Sequence, residues 1–140
     1  MLSQLVERLS THAVGLTSVD MAEDLDALAR GTAAGNGACF VVPYRERARP
    51  NAIAAGGHRQ QIDVQIIVAF VVVQASDPRG AARAAAFDAF KAAIEGALAG
   101  WAPGDEFGGL SLVGGEATPL GNGVTVYAQT WETTRLLTGG

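Results

Sequence analysis

The chain opens on an apolar repeat at helical spacing. Leu2, Leu5, Val6 and Leu9 fall at i, i+3, i+4 and i+7, which predicts an amphipathic helix ending near His12. Val14 to Val19 reads as a short extended piece. Asp20 then stands where an N-cap belongs, with Glu23 three residues on, the spacing of a capping box. Met21, Leu25 and Leu28 follow on one face of a second helix closed by Gly31. Gly35-Asn36-Gly37 reads as a turn into a strand, Ala38 to Val42, that stops at Pro43. A loop is expected from Arg45 to His58, which is long for a connection inside a compact domain.

From Gln60 to Ala75 the period changes to two. Ile62, Val64, Ile66, Val68, Phe70 and Val72 line one face without a break. The other face begins as Gln61, Asp63 and Gln65 and continues as Ile67, Ala69, Val71 and Val73. One half of it must be covered by something that the other half lacks. Asp77-Pro78-Arg79-Gly80 reads as a turn into the strongest helix, in which Phe87, Phe90, Ile94, Leu98 and Trp101 share a face while Asp88, Lys91 and Glu95 point away. Gly100 and Pro103 end it. Leu110 to Val113 predicts a short strand, Gly114-Gly115 and Gly121-Asn122-Gly123 predict turns, and Val124 to Leu137 predicts a last long strand. The whole order is α, short β, α, then β-β-α-β-β. It predicts one α+β domain over residues 1–140, with a mainly antiparallel sheet and helices packed on one face.

Composition narrows the function more than it names it. The 140 residues are 49% hydrophobic and 17% charged, which excludes a disordered, solvating chain. Ten Lys and Arg stand against fourteen Asp and Glu, a net charge of −4, so a general affinity for nucleic acid is not expected. The single cysteine, Cys39, excludes an intrachain disulfide framework. The longest apolar run, Ile66 to Val73, is far short of a membrane span. The N-terminus carries the pair Glu7 and Arg8 where a signal peptide would carry its apolar block, so cytoplasmic synthesis and assembly are expected.

A search for chemistry finds none of the usual constellations. There is no Walker-type phosphate loop, no GxGxxG after a strand and no nucleophile elbow. Cys39 lies in an apolar strand, where an inert buried thiol outweighs a nucleophile. His12 and His58 lack a carboxylate at ligand spacing, and the acids Asp20, Glu23, Asp24 and Asp26 read as a solvated helix start. No cofactor, no metal and no catalysis are expected. The run Arg45, Arg47, Arg49, Asn51, His58 and Arg59 reads as a loop that touches phosphates or the acidic surface of a protein partner, or as charge that keeps a strand edge from aggregating. Ile67, Val71, Tyr127 and Trp131 stand as further candidate contacts, because the apolar strands carry more surface than one chain covers.

The order of these features resembles the tail terminator, or tail completion, proteins of long-tailed bacteriophages, in their Mu-like branch. The likeness spans nearly the whole chain. It rests on the first helix, on Val14-Gly15-Leu16-Thr17-Ser18-Val19 leading into Asp20-Met21-Ala22-Glu23, and on Ala38-Cys39-Phe40-Val41-Val42-Pro43 with Asn51 behind it. Gln61-Ile62-Asp63-Val64, Asp77-Pro78-Arg79-Gly80 and Ala97-Leu98-Ala99-Gly100-Trp101-Ala102-Pro103 follow. Leu110, Gly115 and the strand Val126-Tyr127-Ala128-Gln129-Thr130-Trp131-Glu132-Thr133 complete it. The resemblance implies a virion protein that forms a ring, usually a hexamer, on the head-proximal end of the tail tube. Its partners would be copies of itself, the tube protein and the head connector. An acidic or neutral channel suits a pore that DNA must pass without sticking. Another neck protein, a tube subunit, or a small-ligand-binding or enzymatic α+β domain are the alternatives.

Overall fold

The computed structural model describes residues 1–23, 35–53, 56–73, 81–121 and 123–139. Helix α1 (Leu2–His12) leads to a short strand β1 (Ser18–Met21), then to β2 (Ala38–Ala48) and β3 (His58–Val73). Helix α2 (Ala81–Leu98) precedes β4 (Ser111–Gly121) and β5 (Val124–Gly139). The strands form one sheet in the order β1-β2-β3-β5-β4. Only β1 and β2 run parallel; the other neighbours are antiparallel. This is the expected α+β class.

The centre of the sheet is the β3–β5 pair, which stays in register from His58 opposite Gly139 to Val73 opposite Val124. Alternation of β-branched residues in β3 fixes that register, since a slip of one residue would turn every apolar side chain to the wrong face. One face carries Cys39, Val41, Ile66, Val68, Phe70, Val72 and Trp131, and both described helices pack there through Leu5, Leu9, Phe90, Ile94 and Leu98. Phe70 is the hub, with Phe90 edge-on at 5.6 Å between ring centroids and Tyr127 tilted at 5.4 Å. Val42, Ile67, Ala69, Val71 and Val126 form a second, smaller cluster on the opposite face. Gly100, at φ +77°, ends α2 as the sequence predicts.

Four local expectations are corrected. Pro43 does not end β2: the strand continues to Ala48 after a register shift between Pro43 and Arg45. A bulge absorbs the proline, which has no N–H to give to a ladder. Arg45 to Ala48 are therefore strand residues paired with Gln65 to Ile62, and not part of a loop. Gly114-Gly115 is likewise no turn, because β4 runs through both glycines against Thr130 and Gln129. Asp20 and Met21 pair with Phe40 and Val41, so Asp20 is a strand residue instead of an N-cap. The rest of the second helix expected from Asp20 to Gly31, and the turn Asp77 to Gly80, lie outside the described residues.

Glu95 also departs from its expected outward role. Gln129, 0% exposed at the centre of β5, donates from Nε2 to Glu95 Oε2 at 2.8 Å. The indole Nε1 of Trp131 donates to Gln129 Oε1 at 3.2 Å. A buried amide is costly unless both ends are satisfied, and Glu95 and Trp131 satisfy this one. Gly115 has a different reason to be glycine: a Cβ there would run into the ring and hydroxyl of Tyr127, which lies across it.

Phe90→Ala should cost about 3–5 kcal/mol, because it removes the ring packed on Phe70 and leaves a cavity under α2. Urea unfolding of the variant measures it, and a midpoint equal to wild type would contradict this packing. Gly115→Ala should cost about 1–3 kcal/mol through forced displacement of Tyr127, which is held between Phe70 and Phe87. Thermal melts of this variant should show a loss that Gly114→Ala, where a Cβ meets open space, does not match in steric cost.

Candidate functional site

Beyond Ile66 the sheet continues mainly as three strands: Arg45–Ala48 of β2, the first half of β3, and the last residues of β5. Phe107 alone bridges to Arg135 at their outer side. The register puts Arg45, Arg47, Arg59, Gln61, Asp63, Gln65, Glu132 and Leu136 on the face that carries Ile67 and Val71 farther along. The change of character read in β3 is thus a division of one sheet face. Its apolar half is buried and its polar half bears the arginines.

The polar half is ordered by side-chain pairs. Arg49 Nε lies 3.1 Å from Asp63 Oδ2, and Gln61 Nε2 donates to Asp63 Oδ1 at 3.2 Å. These contacts, Gln61 first and then Arg49, hold the Asp63 carboxyl below the ordinary carboxylate range. Arg45 Nε donates to Gln65 Oε1 at 2.7 Å, and Gln65 in turn donates to Glu132 Oε1 at 3.1 Å. On the opposite face Arg135 makes a two-pronged contact with Glu46, at 3.0 and 3.2 Å. Arg47 forms no ion pair among the described residues. It is a cation on an exposed strand, available to something outside the chain.

The other candidate residues divide between structure and surface. Asn51 holds the β2–β3 connection: its Oδ1 accepts from the Arg59 N–H at 2.9 Å, and its Nδ2 donates to the Ile53 carbonyl at 3.0 Å. His58 pairs with Gln60 Oε1 at 2.8 Å. Arg59 is exposed beside them. Ile67, Val71 and Trp131 are buried within the single chain, and Tyr127 is half-buried against Phe70 and Phe87. The structure therefore gathers Arg45, Arg47, Arg49 and Arg59 on one outer region and places the aromatic strand inside the core.

Several surface features carry no periodic signal in the sequence. Strand β4 is exposed along its whole length, with Leu112, Val113 and Leu120 open to solvent. Leu136, Leu137 and Tyr44 are exposed on the three-stranded extension. The thiol of Cys39 is pushed up to about 12 by burial, so it stays protonated at neutral pH. No cluster of three or more metal-ligating side chains and no helix fit to cross a membrane occurs among the described residues.

The depressed carboxyl of Asp63 gives a pH test. Its contribution to stability is full above the unfolded value of about 3.9 and is lost as pH falls through its lower folded value. Asp63→Asn should therefore be less stable than wild type at pH 7, and the gap should close below about pH 4. Denaturant unfolding across that range measures it, and a gap independent of pH would contradict the pairing.

The family profile described as phage tail terminator protein matches residues 1–138. Among solved structures, a chain from the virion of a native gene transfer agent (GTA) particle superposes with a TM-score of 0.56 at 16% identity, over 98% of this chain and 95% of that one. That likeness is one of fold. No curated protein matches the sequence. With a family match over nearly the entire length, and a helix-backed antiparallel sheet that a virion subunit shares, the chain belongs to the phage tail terminator family and is a structural protein of the virion tail.

Proposed function

We propose that this chain forms a closed ring, of six copies of 14.4 kDa, at the head-proximal end of the tail tube. There it ends tube polymerisation and presents its far surface to the head connector. Family membership and the implied place in the tail support this reading. The observation that carries it is the uncovered end of the sheet: exposed strands bearing an organised set of arginines, with apolar residues beside them. Such a surface on a free subunit is a surface for association. The acts required are binding and blocking, for which recognition groups suffice and a catalytic set does not enter.

Repeated heterologous contacts either close or run on as a filament. A terminator must close, whereas a tube subunit must run on. The net charge of −4 per copy also suits a ring through which DNA passes without being held.

The test combines solution mass with electron microscopy, for the protein alone and mixed with tube subunits. Closed rings of uniform mass, and tubes that stop growing when the protein is added, are the expected results. Open tubes built from this chain alone, or unaltered tube growth at high concentration, would overturn the reading.

A further inference from the structure

The sheet ends on two open edges of opposite charge. On one side β1 pairs with β2 only as far as Val41, so the outer edge of Arg45–Ala48 is unpaired among the described residues and its side chains are exposed. From Pro43 to Pro50 the chain carries Arg45, Arg47 and Arg49 against Glu46; Glu46 is joined to Arg135 and Arg49 to Asp63, which leaves Arg45 and Arg47 as the cations of the edge without an ion pair among the described residues. On the other side β4 is the outermost strand and is exposed throughout. Strand β4 carries Glu116 as its one charged residue, the segment Gly104–Leu110 leading into it carries Asp105 and Glu106, and neither has Lys or Arg.

Each edge offers one regular stretch. In β4 the register shifts between Leu112 and Gly114 and again between Pro119 and Gly121, leaving Gly114–Thr118 as an uninterrupted run with Glu116 at its middle. In β2 the shift lies between Pro43 and Arg45, leaving Arg45–Ala48. Bulges and prolines at the flanks limit how far a foreign strand can zip along either edge. The open backbone groups between them are those a strand from another molecule can complete.

We propose that the Arg45–Ala48 edge of one copy docks along the Gly114–Thr118 edge of the next, head to tail, as the joint of the ring. This rests on the ring reading and says which surfaces make it. Charge decides the pairing: β4 against β4 would oppose acid to acid, and β2 against β2 would oppose arginine to arginine, both unfavourable across strands. Basic against acidic is favourable and leaves one free edge of each kind on every partial assembly. That is the condition for a heterologous chain of subunits that closes on itself. The pairs at the joint set register and association rate, and being exposed they weaken with salt.

The test uses two full-length variants and their mixture. R45E/R47E makes both edges acidic, and E106R/E116R makes both basic. Every altered side chain is exposed, and thermal melts of each variant establish that it folds. Native mass spectrometry and sedimentation at low salt should show wild-type rings and loss of the ring species in each variant alone. Mixed in equal amounts, the two variants should recover rings in which they alternate, and R45E/R47E/E106R/E116R should form rings by itself. Rings that persist in either variant alone, or a mixture that recovers nothing, would overturn the edge pairing while leaving the ring intact. A wild-type chain that stays monomeric at every concentration and with tube subunits would overturn the ring and this joint together.

Discussion

A mismatch of lengths governs this molecule. The β3–β5 pair runs in register for sixteen residues, about 53 Å at ~3.3 Å per residue. Helix α2, with eighteen residues at ~1.5 Å each, reaches only about 27 Å, and α1 is shorter still. Two described helices on one face therefore cannot cover the whole sheet. The half they back becomes the hydrophobic core around Phe70, and beyond it β2 runs on as the exposed stretch Arg45–Ala48. At that end the face opposite the helices carries Asp63, Gln65, Arg45 and Arg49, which pair as Arg49 with Asp63 and Arg45 with Gln65.

The same constraint accounts for the character of the edges. A buried β3 needs neighbours on both sides; β5 supplies one over its full length and β2 the other from Ile62 to Phe70. Their own outer sides are served less completely, by the four-residue β1 and by the solvent-exposed β4. In the interior, Gln129 is satisfied by Glu95 and Trp131. The rim holds exposed strand backbone, bulges and charge.

Much of the centre was legible in the sequence because it rests on periodicity. The α1 repeat, the two-residue alternation of β3 and the Phe87–Phe90–Ile94–Leu98 face each follow from one side of an element being buried. The rim was less legible because its strands are exposed on both faces and so lose their alternation. The glycines of β4 and the proline of β2 then read as breaks, whereas cross-strand pairing overrides them. Arg45, Arg47 and Arg49 could be singled out from their alternation, but their place on a strand could not. Gln129 gave no signal at all, because only the fold brings Glu95 and Trp131 to it. The acidic edge went unread for a similar reason: Asp105, Glu106 and Glu116 lie in segments with no period, and topology alone sets them opposite the arginines.

On the proposed reading, the uncovered end of the sheet is completed by neighbouring molecules in the assembled tail. Amide hydrogen exchange, compared between the free subunit and the assembled particle, measures this directly. The amides of Arg45–Ala48 and Gly114–Thr118 should exchange readily in the free subunit and become protected on assembly, while those of Ile66–Val72 should be protected in both states. Unchanged exchange along both edges on assembly, with protection gained elsewhere, would contradict it.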